Sequence, residues 1–285
     1  MKLDPSQAGQ HRQDLAEALR TLRTATGLSG ERLARRANMS QSKVSRIENG
    51  KVLPNLTDVE RILQALDVDR QTAEELLDLA RIANTEFRDI RASVRKGLHH
   101  LQSEIRSLEA GASCARFFLP SMLTGLLQTP EYMRAAMSTP VMPMSGGDMS
   151  RAITIKLERQ AVLHDVSKAF HFLITESALR WKLCPPSVMA LQTDRLASLS
   201  RLPAVRLAIL PLAARVTYGP LNGFTLYDDR LVTVETFTGD IVLRDPKEIS
   251  YYVELFEFFD GHALHGDSAR EFLAGVANDF MQVRD

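Results

Sequence analysis

The sequence predicts a multi-domain chain: an all-α N-terminal domain of short helices, a long helical linker, and an α+β C-terminal domain with a small, mostly antiparallel sheet. Three observations carry this. Between residues 12 and 69, apolar positions recur at helical spacing in short runs opened by Ser, Asn or Asp. From Ala73 to Leu108 the pattern stays helical without a proline. Beyond Gly111 the composition shifts to mixed helix and strand. The boundaries that follow are a tail over 1–11, the first domain over 12–69, a helical linker over 70–110, and the second domain over 111–285.

In the first domain, Ser29 is a good N-cap for a helix whose apolar positions are Leu33, Ala34 and Ala37. Asn38 and Met39 form a tight joint. Ser40 caps the next helix, in which Val44 and Ile47 point inward while Gln41, Ser42, Ser45 and Arg46 share the opposite side. Gly50 ends it as a C′ residue. The fourth helix starts after Pro54 with Asn55 as its cap and Leu56, Val59, Ile62, Leu63 and Leu66 on its buried side. Asp69 or Thr72 opens the fifth.

Two short helices around a tight joint make a helix-turn-helix, and the second presents groups that suit DNA. In the major groove, Gln pairs with adenine and Arg with guanine through two hydrogen bonds each. Gln41, Ser42, Ser45 and Arg46 are therefore the candidates for base readout, Gln41 and Arg46 foremost. Lys43 and Lys51 suit phosphate, as flexible point charges. Ser40, at the start of the helix, is a third phosphate candidate. The plainer alternative is an amphipathic helical hairpin with a solvated polar face. The local charge speaks against it: residues 11–55 carry nine Lys or Arg against four acids, a net of +5, although the whole chain balances 35 against 35. Residues 56–80 reverse the sign, with Arg61 and Arg70 facing seven acids. A basic patch confined to the head implies salt-sensitive binding to double-stranded DNA that a monomer holds weakly.

The stretch ending SRIENG, with Pro54 shortly after, resembles the Xre/Cro family of helix-turn-helix domains over residues 12–69. The resemblance implies that Gln41, Ser42 and Arg46 contact bases, that Lys43 contacts the backbone, and that Arg23 and Glu48 form a structural ion pair. Losing one partner of such a pair, if buried, costs about 3–5 kcal/mol. The family often carries Gln where this chain has Gly30, so a phosphate contact and a prop for Gln41 are missing at that position.

In the linker, Phe87, Val94, Leu101 and Leu108 recur every seven residues with Leu98 and Ile105 between them, a short seam of coiled-coil type. Joining two subunits there would space two heads by about 34 Å, one turn of DNA. Packing of this helix on its own C-terminal domain is the alternative, and Arg91 and Gly97 interrupt the seam. A homodimer is expected by one route or another.

In the second domain, Thr129, Pro130 and Glu131 read as a cap, an N1 proline and a first-turn acid. A loop over Ser138–Ser150 and a helix over Arg151–Leu163 follow. Strands are expected at Phe170–Thr175, Val205–Leu210, Gly223–Tyr227 and Leu231–Phe237, the last two paired as a hairpin across Asp228 and Asp229. Helices are expected at Glu176–Lys182, Ser187–Ser200, Pro246–Phe259 and Asp267–Met281. GLLQTPEYMRA, TESALRW, LPAVRLAILPL and GFTLYDDRLVTVETFTG are similar to the C-terminal domain of WhiJ-like, antitoxin-like actinobacterial regulators. That resemblance implies a transcriptional regulator associated with a small protein partner encoded nearby, and carries over no ligand or catalytic residue. Thr124 stands where the pattern usually has Pro.

Little in this domain reads as chemistry. His262, His265 and Asp267 lie at a spacing that a metal could use, yet read better as a solvated helix end. No Gly-rich phosphate loop and no G-x-S-x-G elbow occur. Cys114 and Cys184 lack metal-ligand spacing and read as inert thiols. Met133, Met137, Met142, Met144 and Met149 read as core and loop packing before they read as an adaptable binding surface. The expectation is a regulator without enzymatic activity, cofactor or metal, whose small-molecule effector, if it has one, is unknown. The alternatives are a ligand-sensing transcription factor and, more remotely, an enzyme anchored to DNA. No run of about 18 apolar residues occurs, and the first ten residues lack a signal-peptide core. The expected location is the cytoplasm, at the nucleoid when DNA is bound, with no membrane partner.

Overall fold

The computed structural model describes residues 8–89, 98–138 and 146–282. The chain divides into two compact units: Met1–Arg88 with Asp240–Ser250, and Asp89–Gly239 with Tyr251–Asp285.

The first unit is built on five helices, α1 (Ala8–Ala25), α2 (Gly30–Arg36), α3 (Gln41–Glu48), α4 (Leu56–Leu66) and α5 (Arg70–Ala83). The last four each start at a side chain that accepts a hydrogen bond from the amide three residues on: Ser29 from Arg32, Ser40 from Lys43, Asn55 from Asp58, Asp69 from Thr72. Hydrogen bonds from the Thr72 hydroxyl and amide hold the Asp69 carboxyl below its ordinary pKa. Their apolar faces meet in one core, where Leu15, Leu19, Leu33, Val44 and Ile47 are fully buried.

The unbroken helix expected over 73–108 is corrected here. Asn84 ends α5 and turns its amide inward, donating to the carbonyls of Pro54 and Ala80, both at 2.9 Å. The chain then extends as β1 (Thr85–Asp89), whose sheet neighbour is β7 (Gly239–Leu243). Phe87 of the supposed seam thus stands on a strand. Val94 lies outside the described residues, and Leu98, Leu101, Ile105 and Leu108 belong to a separate helix, α6 (Leu98–Gly111). A helical sequence period cannot report a strand whose partner lies 150 residues further on.

Directly after β7 the chain stays with the helices of the first unit. Asp245, 3% exposed, accepts a hydrogen bond from the Leu56 amide at 2.7 Å, and Lys247 reaches Glu60 at 2.6 Å. Arg244 pairs with Glu86 at 2.9 Å. The Leu56 amide is one of the donors that the first turn of α4 leaves without an intrahelical partner. A carboxylate 189 residues away in sequence supplies it.

The second unit is a mixed sheet covered by helices. Its strands are β2 (Cys114–Leu119), β3 (Ala169–Thr175), β4 (Val205–Leu210), β5 (Phe224–Tyr227), β6 (Leu231–Glu235) and β8 (Leu264–His265), in the order β6-β5-β2-β3-β4-β8. The central strands β2, β3 and β4 run parallel, with Phe117 opposite Phe172 and Leu173 opposite Ala208. The outer pairings β2–β5, β5–β6 and β4–β8 are antiparallel. Parallel neighbours need crossovers: α7 (Pro130–Met137) and α8 (Gly146–Arg159) lie between β2 and β3, α9 (Glu176–Arg180) and α10 (Pro186–Leu199) between β3 and β4. The expected hairpin forms with Tyr227 opposite Leu231, and Asp228 adopts φ +50° in its turn. Within this unit sequence patterning misses the two-residue β8 and, of the longer strands, β2. Its six residues gain their place from β3 and β5, both distant in sequence. α11 (Pro246–Asp260) and α12 (Gly266–Gln282) complete the chain, Phe259 stacking on Phe118 at 4.7 Å. A buried Arg159–Glu109 pair ties α8 to α6, with Nε–Oε2 at 3.0 Å. Among the described residues no helix is long and apolar enough to cross a membrane.

Candidate nucleic-acid interface

Helices α2 and α3 carry the site. Asn38 takes a positive φ of 52° in the joint between them, and the Met39 amide donates back to the Ala34 carbonyl at 2.9 Å. At the far end of α3 the Lys51 amide reaches the Arg46 carbonyl and the Gly50 amide reaches that of Ile47, the paired bonds of a Schellman motif. Gly50 has φ +64°, and a Cβ there would come within 2.6 Å of the Gln13 side chain. The left-handed backbone is what favours glycine here, since the exposed end of Gln13 can swing aside from a Cβ.

With both ends fixed, α3 divides cleanly. Val44, Ile47 and Glu48 are buried; Gln41, Ser42 and Arg46 are exposed; Ser45 is half-buried among them. Gln41 and Ser45 are one turn apart, as are Ser42 and Arg46, so the four base-readout candidates form two adjacent stripes on one side of the helix. Arg46 makes no ion pair among the described residues.

The helix is tied to its scaffold by charge. Arg23 of α1 grips Glu48 through two bonds, Nε–Oε1 at 2.6 Å and Nη2–Oε2 at 3.0 Å, and donates its remaining terminal nitrogen to the Leu28 carbonyl at 2.9 Å. Their side chains are 16% and 8% exposed, so both partners are largely removed from water. Removing either one strands the other, which is why such a pair costs far more to break than it contributes.

The phosphate candidates are placed differently from one another. Ser40 spends its hydroxyl on the Lys43 amide and lies 3.2 Å from the Ser42 hydroxyl. Lys43 is drawn to Asp58, Nζ–Oδ1 at 2.7 Å, against a carboxylate only 6% exposed. Lys51 is exposed beyond the end of α3. Patterning overlooked Asp58, because Lys43 and its partner lie on different helices. Arg20 and Asn49, also overlooked, flank the exposed stripe. The spacing of Arg20, one turn before Arg23 on α1, was the available signal.

Elsewhere the chemistry is sparse. Cys114 and Cys184 are free thiols, both pushed up in pKa by burial. His262 and His265 hydrogen-bond to backbone carbonyls of Phe258 and Asp260, and no metal-holding group of three is present among the described residues. A cavity of about 390 Å³ opens at the carboxyl end of β2, lined by Leu119, Met122, Leu221, Gly223, Glu235 and Phe237.

Residues 14–76 match a family described as a helix-turn-helix domain. Residues 102–275, more than half of the chain, match a family described as a domain of unknown function, DUF5753. The chain belongs to the DUF5753 family. A helix-turn-helix head joined to the DUF5753 domain is the build of a DNA-binding regulator. No curated protein matches this DUF5753 member significantly. Among solved structures it is distantly similar to Nuc, a phospholipase D family member from Salmonella typhimurium. That match has 10% identity and a TM-score of 0.33, over 58% of this chain and 90% of that one. NucT from Helicobacter pylori matches at 12% identity and a TM-score of 0.35, over 64% and 98% of the two chains. TrmBL2, an archaeal chromatin protein described with a novel mode of DNA binding, matches at 12% and 0.31, over 72% and 66%. At these scores the likenesses carry no functional argument.

Proposed function

We propose that the protein is a sequence-specific transcriptional regulator of the Xre type. It binds an inverted-repeat operator as a homodimer and is controlled through its WhiJ-like, antitoxin-like C-terminal domain by a small protein partner. The observation that carries this reading is α3 itself: a short helix locked at both ends and by Arg23–Glu48, with Gln41, Ser42, Ser45 and Arg46 together on its outer side. The reading assigns the C-terminal domain no catalytic step and places the protein in the cytoplasm, at the nucleoid when bound to DNA.

Genome-wide mapping of binding sites in native cells, wild type beside Gln41→Ala/Arg46→Ala, tests it. A few sharp sites sharing an inverted repeat, lost in the variant, are expected. On isolated sites Arg46→Ala should cost about 1–3 kcal/mol of discrimination at one base position. Occupancy that is diffuse, or indifferent to the substitutions, would sink the reading.

The cavity at the carboxyl end of β2 favours one alternative, a small-molecule effector in the C-terminal domain. Such a ligand raises the unfolding temperature in proportion to the logarithm of its concentration. A screen of metabolites against the full chain that finds no such rise counts against it.

A further inference from the structure

Beside α3 the head carries a notch of about 260 Å³, lined by Arg20, Arg23, Gly30, Gln41, Ser45 and Asn49, with Glu48 at its back. Gly30 opens it: a Cβ placed there would meet nothing within 4 Å. On α3, Gln41, Ser45 and Asn49 follow one another at four-residue intervals and make a single stripe along the flank of the helix. Each residue turns the helix by about 100°, so this flank stands beside the stripe of Ser42 and Arg46.

The charges of the notch do not cancel. Arg23 and Glu48 neutralise one another at 2.6 Å. Arg20 is exposed, and its guanidinium has no hydrogen-bond or ion-pair partner among the described residues. The notch therefore holds one unopposed positive charge with the Gln41 amide and the Ser45 hydroxyl beside it.

Geometry says what should meet it. A helix with its side chains is about 10–12 Å across, and the major groove is about 12 Å wide. A helix seated there brings its flanks against the sugar-phosphate walls while its outermost stripe faces the bases. On this flank the wall arrives at the notch. On the other side of the helix Lys43 is held by Asp58. Arg20 is free to bind.

We propose that this notch is a seat for a backbone phosphate of DNA, with the Arg20 guanidinium as its main ligand and the Gln41 amide alongside. It rests on the reading of α3 as the recognition helix. The phosphate sets the depth and register of α3 and leaves the choice of base to Gln41, Ser42, Ser45 and Arg46. Phosphate contacts position and base contacts specify.

The test uses the full chain and two DNA duplexes, one recovered by the wild type from a randomised pool and one of scrambled sequence. Affinities are measured between about 50 and 200 mM salt. Arg20→Gln is expected to weaken both duplexes alike, by about tenfold. It should also flatten the log–log salt slope by about 1 per bound head, with base preference unchanged. Arg20→Lys keeps the slope, because the charge remains. Gly30→Glu, whose Cβ would meet nothing within 4 Å, brings a carboxylate to the notch and reproduces the loss. If Arg20→Gln retains wild-type affinity and slope while Arg46→Ala still loses discrimination, the recognition helix stands and the phosphate seat is overturned. If the wild type enriches no sequence, the reading of α3 falls and the seat falls with it.

Discussion

On α8, the stem of Lys156 runs beside Gly125, its Cδ 3.5 Å from where a Cβ would stand on that glycine. Burial lowers the pKa of its amine to about 8, with the Arg159 charge adding to the shift and Glu235 opposing it. The unfolded value is 10.5, so between about 8 and 10.5 the unfolded chain holds a proton that the folded chain has released. Stability must then rise with pH across that window, by at most about 3 kcal/mol. Below pH 8 the charged amine is a standing cost to the fold. Lys156→Met is expected to raise the unfolding temperature at pH 7 and to abolish the rise between pH 8 and 10, read by thermal unfolding at stepped pH. A wild type whose stability stays flat over that range would contradict the assignment. In the head the charged side chains are placed otherwise: Arg23 lies against Glu48, Lys43 against Asp58, and Arg46 faces solvent.

Among the elements, those with local causes were legible in the sequence. Ser29, Ser40, Asn55 and Thr129 read as caps, Asp69 as one of two candidates with Thr72, and each of the five accepts the amide three residues on. The rest depended on partners far along the chain. β1, β7 and the two-residue β8 exist because another strand lies beside them, and their own residues carry no alternation long enough to read. The site divides the same way. The exposed stripe on α3 follows from helical periodicity alone, whereas the Lys43–Asp58 pair and the notch beside Arg20 depend on how helices pack. The sharpest case is Asp245. Nothing in RDPKE marks it as a capping group for a helix near the other end of the sequence, yet its two oxygens serve the Leu56 and Lys247 amides. Asp245→Ala leaves the buried Leu56 amide without its acceptor. It is expected to cost about 1–3 kcal/mol, measured by denaturant unfolding followed by a probe in the helices of the first unit. A loss below about 0.5 kcal/mol would show that water replaces the carboxylate.

At the scale of the whole molecule, neither unit is a continuous stretch of sequence: the first takes in Asp240–Ser250, and the second resumes at Tyr251. A fragment ending at residue 88 therefore contains α1 to α5 but lacks Asp245, Lys247, the start of α11 and the strand beside β1. Hydrogen exchange at Leu56 and its neighbours is expected to be at least about tenfold faster in that fragment than in the full chain, since local opening there loses its tether. Equal exchange would mean that the segment is dispensable. The same discontinuity has a meaning in time. Ribosomes add about 5–20 residues per second, so about 10–40 s separate the emergence of Leu56 from that of Asp245. Through that interval the nascent chain carries α3 on a scaffold still one strand and one carboxylate short. A chain cut short before residue 240 lacks this part of the scaffold however much of the second unit it contains, so the first unit is complete only after most of the second has been translated.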